Sequence, residues 1–380
     1  MNNFTNFIPT KLYFGAGELE KLGSIALPGK KALIVITSGK SIRANGTLDR
    51  MQNLLAKNNC ESVVYDKIQA NPTKDQVMAG AAMAKAEKCD FVIGLGGGSP
   101  IDSAKAIASM ATNPGDLWDY IASGSGKGKT MQEKPLPIIA VTTTAGTGTE
   151  VDPWSVVTHN EEKIGFGSEN TFPVVAIVDP ELMLTIPPDL TAYQGFDAFF
   201  HAVECYLANI ATPVSELYCL KSIELLTKSL PTAVNDGKNL AARSDVALAN
   251  TLSGMAESTS CNTSEHSLAH AIGGVFPNIP HGAALLMVSR AWFKHYAPLL
   301  PERFAAMAKA AGKADFCEVL EDLRKACHVD GLAMSSFGIK REDLKKINDN
   351  AWDTMGFLFV LDRIQLTREE SLQILEESYS

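Results

Sequence analysis

The chain has 380 residues, of which 46% are hydrophobic and 20% charged, a composition typical of a globular protein large enough for two domains. Its formal net charge of −9 argues against a nucleic-acid partner, because phosphate backbones require a basic surface and no block of lysines and arginines is present. No basic stretch followed by an apolar run opens the sequence, and no long uncharged apolar segment occurs, so we expect neither a signal peptide nor a membrane partner.

The seven cysteines are scattered along the chain and form no Cys-x-x-Cys pair. An odd number without regular spacing is typical of a reduced protein, so we predict a cytoplasmic location. The same scatter disfavours a zinc site built from thiolates.

Short β-rich runs alternate with helical patterns in the first half of the chain. The strand patterns are KALIVIT (31–37), SVVYDKI (62–68), DFVIGLGGGS (90–99), PIIAVTTTAGTGTE (137–150) and PVVAIVDP (173–180). Helical patterns lie between them, for example at 46–58 and 74–88. Strands that alternate with helices predict an α/β domain with a parallel sheet covered by helices on both faces.

The pattern changes near LTIPPDLTAYQG (184–195), where Pro187 and Pro188 interrupt any helix and Asp189 is a candidate helix cap. Beyond this point strand patterns stop and helical periodicity takes over, at 215–234, 239–258, 301–313 and 341–356. We therefore predict an α/β domain over residues 1–186 and an all-helical domain over residues 187–380.

Two polar turns follow predicted strands of the same sheet. GLGGGSPIDSAKAIA (94–108) passes from a strand through a glycine-rich turn into a helix, where backbone N–H groups and the helix N-terminus can hold a phosphate. It departs from the usual dinucleotide fingerprint, since Ser99 stands at the third glycine. TTTAGTGTE (142–150) is the second turn, and ligands bind at this edge of open parallel sheets.

Three of the seven histidines fall between His266 and His281, in EHSLAHAIGGVFPNIPHG. Asp197 and His201 are four residues apart, a spacing that places both on one face of a helix, and His266 and His270 repeat it. His281 follows a proline-containing loop and is expected near a helix start.

One carboxylate and three imidazoles suit Fe²⁺, Zn²⁺, Mn²⁺ or Co²⁺. A site with four ligands needs only three histidines besides Asp197. One histidine of the His266/His270 pair is therefore not expected to bind the metal. Glu204 follows His201 by three residues, and we expect it to form an ion pair on the helix face, the alternative being that it orients a ligand. No functional context surrounds His159, His295 or His328.

Four segments in this order resemble the iron-containing (group III) alcohol dehydrogenase family: GGGSPID (96–102), TTAGTGTE (143–150), GFDAFFHAVE (195–204) and HSLAH…PHG (266–282). The resemblance extends over essentially the whole chain. It implies a Rossmann-like N-terminal domain, a helical C-terminal domain (the dehydroquinate synthase-like fold) and an active site between them. Dehydroquinate synthases and glycerol dehydrogenases share this fold with different metal motifs and are the alternative functions.

The resemblance also implies roles for individual residues. The metal ligands would be Asp197, His201, His266 and His281, whereas His270 would lie beside the metal and the nicotinamide as a proton relay. The implied cofactor-binding residues are Gly39, Ser41, Asn71, Gly97, Gly98, Ser99, Asp102, Thr143, Thr144, Thr147, Asp152, Lys163 and Leu182.

Two departures from the family pattern concern His281 and Gly39. The spacing from His270 to His281 is one residue longer than in many members, within the loop GGVFPNIP, where we expect the ligand to survive. Gly39 takes the place of an aspartate that bonds the adenosine ribose in many NAD-using members. Because that aspartate would repel a 2′-phosphate, glycine flanked by Ser38, Lys40, Ser41 and Arg43 favours NADP(H) over NAD(H).

We therefore predict a dehydrogenase that transfers hydride between NAD(P)(H) and a small primary alcohol or aldehyde, with Fe²⁺, or alternatively Zn²⁺, as Lewis acid. The resemblance to this family also implies that the protein forms a homodimer or a larger homo-oligomer. A dehydroquinate-synthase-like lyase would need a basic pocket for a phosphorylated substrate, and no such lysine and arginine cluster accompanies the histidines.

Overall fold

The first half of the molecule is built on a parallel sheet, seen in a computed structural model that describes residues 3–380. The eight strands are β1 (Lys11–Phe14), β2 (Lys31–Thr37), β3 (Glu61–Ile68), β4 (Phe91–Gly96), β5 (Ile138–Thr142), β6 (Ser155–His159), β7 (Glu162–Phe166) and β8 (Val175–Val178). Six of them form one sheet in the order β1-β8-β5-β4-β2-β3, and every neighbouring pair is parallel. The predicted parallel sheet is confirmed.

Residues 3–380 also form fourteen α-helices. They are α1 (Ser41–Ala44), α2 (Thr47–Lys57), α3 (Lys74–Ala86), α4 (Gly98–Thr112), α5 (Pro188–Leu207), α6 (Pro213–Asn235), α7 (Leu240–Thr259), α8 (Ser264–Val275), α9 (His281–Tyr296), α10 (Pro301–Ala310), α11 (Phe316–Ala326), α12 (Leu344–Met355), α13 (Phe357–Val360) and α14 (Arg368–Ser378). All strands precede residue 179 and ten of the helices follow it, so the predicted change from α/β to helical structure is confirmed.

Side chains of the interior strand β2 show why the sheet needs helices on both faces. Leu33 and Val35 pack into an apolar cluster with α3 and α4, whereas Ile34 and Ile36 pack on the opposite face with α2. Successive residues of a strand point to opposite faces, so a run of consecutive apolar residues requires two covering layers. This is the reason that KALIVIT is apolar almost throughout.

A separate apolar core holds the helical half together. Phe199 and Phe200 of α5 contact Phe316 and Phe293, with ring centroids 5.6 and 6.2 Å apart. Within residues 3–380, no helix has the length and apolar character needed to cross a membrane. All seven cysteines are free thiols.

Three local features differ from the sequence-based expectations. The edge strand β1 and the antiparallel hairpin β6–β7 were not predicted. Each is short, and β1 acquires its hydrogen-bonding partner, β8, from a segment more than 160 residues away. The prediction that Asp189 caps α5 is wrong: the helix begins at Pro188, and Asp189 lies in its first turn. Proline suits this first position because the N–H that it lacks would have no helical partner.

Candidate active site

A cavity of about 720 Å³ lies where the carboxyl ends of β4 and β5 face the helices α5, α8 and α9. All but two of the predicted site residues line it. Those in the cavity wall are Ser41, Asn71, Gly97, Gly98, Ser99, Asp102, Thr143, Thr144, Thr147, Asp152, Lys163, Asp197, His201, His266, His270 and His281. Gly39 and Leu182 are absent from this wall; Gly39 is exposed, and Leu182 packs into the core beside the sheet.

The glycine-rich turn and the threonine-rich turn lie against each other in this wall. An added Cβ would come within 2.8 Å of Thr144 Oγ1 at Gly97 and within 2.6 Å of Thr147 Cγ2 at Gly98, so glycine permits the close approach. Helix α4 begins at Gly98, its first turn holds no acidic residue, and no side chain caps its N-terminus. Free N–H groups at a helix start that opens on a cavity fit the pyrophosphate of a dinucleotide.

The carboxylates of Asp102 and Asp152 form hydrogen bonds with other residues of the protein. Lys105, which sequence reasoning missed, is fully buried and donates hydrogen bonds to Thr149 Oγ1 at 2.6 Å, Asp152 Oδ1 at 2.8 Å and Trp154 O at 2.6 Å. Asp102 accepts hydrogen bonds from the Thr149 hydroxyl and from a backbone N–H of β6. The network fastens the hairpin β6–β7 to α4. Its sequence signal was a lysine three residues after Asp102, the other charged residue of α4.

Four side chains converge at the helical end of the cavity. Asp197 Oδ1 lies 3.8 Å from His201 Nε2, 3.6 Å from His266 Nε2 and 3.6 Å from His281 Nε2. The ligand atoms of Asp197, His201 and His266 all fall within 4.8 Å of one another. Two ligands of one ion with bonds of about 2.0–2.2 Å lie roughly 3–4 Å apart, so these separations fit a shared cation.

Hydrogen bonds orient two of the imidazoles towards this point. His201 Nδ1 lies 3.2 Å from the Gly146 carbonyl oxygen, and His266 Nδ1 contacts Glu204 Oε1, which leaves both Nε2 atoms facing Asp197. Glu204 also accepts hydrogen bonds from the backbone N–H and the hydroxyl of Thr263. The expected ion pair of Glu204 on the helix face is wrong: this carboxylate is fully buried and orients His266. Such carboxylate–histidine pairs are common behind metal ligands.

Unpaired atoms support the same interpretation. Asp197 Oδ1 and His266 Nε2 are buried without a hydrogen-bond partner, which is costly unless another group satisfies them. Burial lowers the pKa of His266, but the charges of Glu204 and Asp197 outweigh it and raise the pKa to about 10. Burial holds the pKa of His281 well below its usual range, which keeps the neutral form that binds metals. The unpaired buried atoms, the neutral imidazole of His281 and the two carboxylates that favour positive charge at His266 together fit a divalent cation.

His270 lies beside the cluster and has different contacts. Its Nδ1 lies 3.3 Å from the Lys163 carbonyl oxygen, and its ring centroid is 5.1 Å from that of His281. Burial lowers the pKa of the Lys163 ammonium to about 8, against the opposing charges of Asp197 and Asp102. The hairpin that carries Lys163 thus brings a titratable cation and the oriented imidazole of His270 to the same wall.

The remaining histidines lie outside the cavity, as expected. His159 packs edge-to-face against Trp118 with ring centroids 5.0 Å apart, and exposed His328 forms a hydrogen bond of 2.9 Å with Asn235 Oδ1. Asn71 lines the cavity, but its amide donates to the Pro277 carbonyl at 2.8 Å and joins the two halves of the molecule. Sequence reasoning also missed Glu257 and Asn262, which no short motif marks.

Comparison with known proteins agrees with this architecture. Residues 9–180 match the family model for iron-containing alcohol dehydrogenases, and residues 191–379 match the model for the C-terminal part of that family. Alcohol dehydrogenase 4 of Saccharomyces cerevisiae is 34% identical with all of both chains covered. NAD-dependent methanol dehydrogenase of Bacillus methanolicus is 33% identical over 93% of this chain and 94% of its own length.

A solved structure extends the likeness to three dimensions. The alcohol dehydrogenase of an archaeon from a Red Sea brine pool superimposes with a TM-score of 0.93 at 32% identity, with all of both chains covered. A two-part fold with a buried carboxylate–imidazole cluster beside a glycine-rich turn fits the class of metal- and nucleotide-dependent oxidoreductases. The chain belongs to the iron-containing alcohol dehydrogenase family.

Proposed function

We propose that the protein interconverts small primary alcohols and aldehydes with NAD(P)(H) as hydride carrier and a divalent metal bound by Asp197, His201, His266 and His281. The single observation that carries this proposal is that one cavity joins the uncapped start of α4 to the buried cluster around Asp197. We propose Fe²⁺ as the metal, in line with the family, with Zn²⁺ as the alternative that the same ligands accept.

The chain's own residues have separable tasks in this proposal. Gly97, Gly98 and Ser99 bind the pyrophosphate through backbone N–H groups, and Thr143, Thr144, Thr147 and Lys163 contact the nicotinamide and its ribose. When bound, the metal supplies Lewis-acid polarisation of the alcohol or carbonyl oxygen, and the nicotinamide supplies or accepts the hydride. Asp102 and Asp152 act indirectly. Their carboxylates form hydrogen bonds with Thr149 and Lys105 and so position the cavity wall.

His270 is the proposed proton relay. Its Nδ1 is oriented by the Lys163 carbonyl, so the proton moves at Nε2, between the substrate hydroxyl and solvent. Burial and the neighbouring Lys163 charge hold the pKa of His270 well below its usual range, so Nε2 is unprotonated and a proton taken from the substrate would be passed on to solvent rather than retained.

Replacing His270 by alanine is expected to lower kcat by about 10²–10⁴-fold, the usual contribution of a positioned general acid or base. The metal content, measured by mass spectrometry, should stay at the wild-type level because His270 is not a proposed ligand. His328→Asn is the matched control, since His328 is exposed and its φ of 60° suits asparagine. Loss of metal from His270→Ala would instead make His270 a ligand.

We also propose a preference for NADP(H) over NAD(H). Gly39 is exposed and adds no carboxylate, and Ser41 lines the cavity nearby. Arg43 forms an ion pair of 2.9 Å with Asp66 on the exposed surface. Lys40 and Ser41 are therefore better placed than Arg43 to bind a 2′-phosphate.

Gly39→Asp is expected to shift the ratio of kcat/KM for NADH to that for NADPH by about 10- to 100-fold towards NADH, the worth of a charge-assisted hydrogen bond gained and a repulsion added. An added Cβ meets only Thr37 Oγ1, at 3.5 Å, so the variant should fold normally. Gly331→Asp adds the same charge where nothing lies within 4 Å and should leave the ratio unchanged. A wild-type enzyme with clearly higher kcat/KM for NADH would contradict the preference.

The function itself is tested by loading the anaerobically purified protein with Fe²⁺ or Zn²⁺ and following NADPH and NADH absorbance in parallel with short aldehydes. Metal-dependent oxidation of a nicotinamide supports the proposal. No oxidation of either cofactor by the metal-loaded protein would contradict small aldehydes as substrates.

Three further assignments belong to the same proposal. The domain boundary falls between residues 186 and 187, the protein is a homodimer or larger homo-oligomer, and its location is cytoplasmic. One family model ends at residue 180 and the other begins at residue 191, so this boundary lies in the interval between them.

A further inference from the structure

Glu150 ends the threonine-rich turn (142–150), and its side chain contacts helix α7 rather than the cavity. The residue is fully buried, and its Oε1 accepts hydrogen bonds from the Asn250 amide at 2.9 Å and from the Thr251 hydroxyl at 2.8 Å. Its Oε2 is buried without a hydrogen-bond partner, so the two donors on α7 are the side-chain contacts that offset the burial of this polar group.

Asn250 contacts the same turn at a second point. Its Oδ1 accepts a hydrogen bond of 2.8 Å from the backbone N–H of Gly148, so one amide group bridges Gly148 and Glu150. An added Cβ at Gly148 would lie 2.5 Å from Gly254 Cα, which means that the turn and α7 touch backbone to backbone. Both hydrogen bonds of Asn250 are buried, and removing its amide would leave a buried donor and a buried acceptor without this partner.

The threonine-rich turn connects the two ends of the site. Thr143, Thr144 and Thr147 line the cavity, and their proposed partners are the nicotinamide and its ribose. Between them, the carbonyl oxygen of Gly146 lies 3.2 Å from Nδ1 of His201, a proposed metal ligand. A shift of the turn would therefore move the nicotinamide contacts and disturb the orientation of this imidazole at the same time.

Helix α7 belongs to the helical half of the molecule. It packs against α5, the helix that carries Asp197 and His201. The contacts of Glu150 and Asn250 therefore fix a turn of the α/β half against the helices that hold the metal cluster. Hydride transfer requires the reacting atoms in close and aligned contact, and a misplacement of about 1 Å can cost roughly a hundredfold in rate.

We propose that Glu150 and Asn250 are positioning residues for hydride transfer, which hold the threonine-rich turn so that the nicotinamide is aligned with the cluster around Asp197. Neither residue lines the cavity, so each acts through the turn. The inference rests on the proposed function, because it concerns the reaction of that same site.

The test is a single-turnover reaction, in which the metal-loaded protein, in excess over NADH or NADPH, is mixed rapidly with saturating propanal. The amplitude of the first phase reports the fraction of competent enzyme, whereas its rate constant reports the alignment of the reacting atoms. We expect Asn250→Leu to lower the rate constant by about 10- to 100-fold and to keep an amplitude near that of the wild type.

A double variant tests the hydrogen bond itself. Asn250→Asp combined with Glu150→Gln reverses the direction of the bond between the two side chains and keeps an acceptor for the Gly148 N–H. This double variant should recover most of the lost rate constant. Asn53→Leu, at an exposed position of α2, is the matched control and should keep the wild-type value.

Thr251→Val is a milder variant that decides the question if Asn250→Leu does not fold. It removes one of the two donors to Glu150, and we expect the rate constant to fall by about 3- to 10-fold, the worth of one hydrogen bond.

Nucleotide binding provides a measurement that does not require turnover. ADP lacks the nicotinamide and its ribose, so it does not reach the proposed partners of the threonine-rich turn. Calorimetry should show weaker binding of NADH and NADPH by Asn250→Leu, with the dissociation constant of ADP unchanged.

A loss confined to the amplitude would overturn the proposal, because it would show a purely structural role. So would a double variant that recovers nothing, or equal weakening of ADP and of the complete dinucleotides. If the wild-type holoenzyme transfers no hydride, the proposed function fails, and the comparison of ADP with NADH and NADPH still decides whether Asn250 positions the turn.

Discussion

Asp197→Asn is expected to lose the bound metal and to lower alcohol oxidation by about a thousandfold or more, since polarisation by a cation contributes several kcal/mol. Asp197 Oδ1 lies within 3.8 Å of the Nε2 atoms of all three proposed imidazole ligands, and its side chain is 6% exposed. Asparagine keeps the shape but removes the one negative charge among these ligands. Mass spectrometry of the purified variant and assays with added Fe²⁺ or Zn²⁺ measure the two effects.

Thermal unfolding separates lost metal binding from misfolding. Added metal should raise the Tm of the wild-type protein, because ligands that bind the native state stabilise it, and should leave the Tm of Asp197→Asn nearly unchanged. Asp189→Asn, in the exposed first turn of the same helix, is the control and should behave like the wild type. Stoichiometric metal in purified Asp197→Asn would refute the assigned ligand set.

The second large effect is expected from Lys105→Met, which should lower the free energy of unfolding of the metal-free protein by about 3–5 kcal/mol. Lys105 is fully buried and its ammonium donates three hydrogen bonds, including one to Asp152. Methionine fills a similar volume but leaves that buried carboxylate without its counter-ion. Urea unfolding followed by circular dichroism measures the change.

A double variant tests whether the unpaired charge of Asp152 causes the loss of unfolding free energy. Lys105→Met combined with Asp152→Asn should recover part of the stability, because no unpaired charge remains buried. Lys345→Met breaks an exposed lysine–aspartate pair on α12 and should have little effect, since solvent screens such pairs. Equal destabilisation by the buried and the exposed substitution would show that the network is not structurally important.

Much of the site was predictable because its chemistry lies in short segments. Asp197 and His201 share one face of α5 through helical periodicity, and the glycine-rich turn lies between β4 and α4 as expected. His281 begins α9, which confirms the prediction of a helix start.

Local spacing does not decide between His266 and His270, which are neighbours on one helix. The resemblance favoured His266, and in the structure its Nε2 lies 3.6 Å from Asp197 Oδ1. His270 turns its Nδ1 to the carbonyl of Lys163, on a hairpin that was not predicted. The distinction depends on which helix or hairpin packs against each imidazole.

The sequence by itself determined the alternation of strands and helices, the change to helical structure after Pro188, the two turns and the carboxylate–histidine set, because these depend on periodicity and on side-chain chemistry within short segments. Tertiary structure alone decided the contacts between distant segments. Glu204 contacts His266, Lys105 contacts Asp152, and Glu257 Oε2 lies 3.8 Å from His201 Nε2. Each of these contacts joins residues about 50 or more positions apart in the sequence. Burial makes each contact energetically important. Periodicity along the chain predicts only neighbours on the same helix or strand, so it could not predict these contacts.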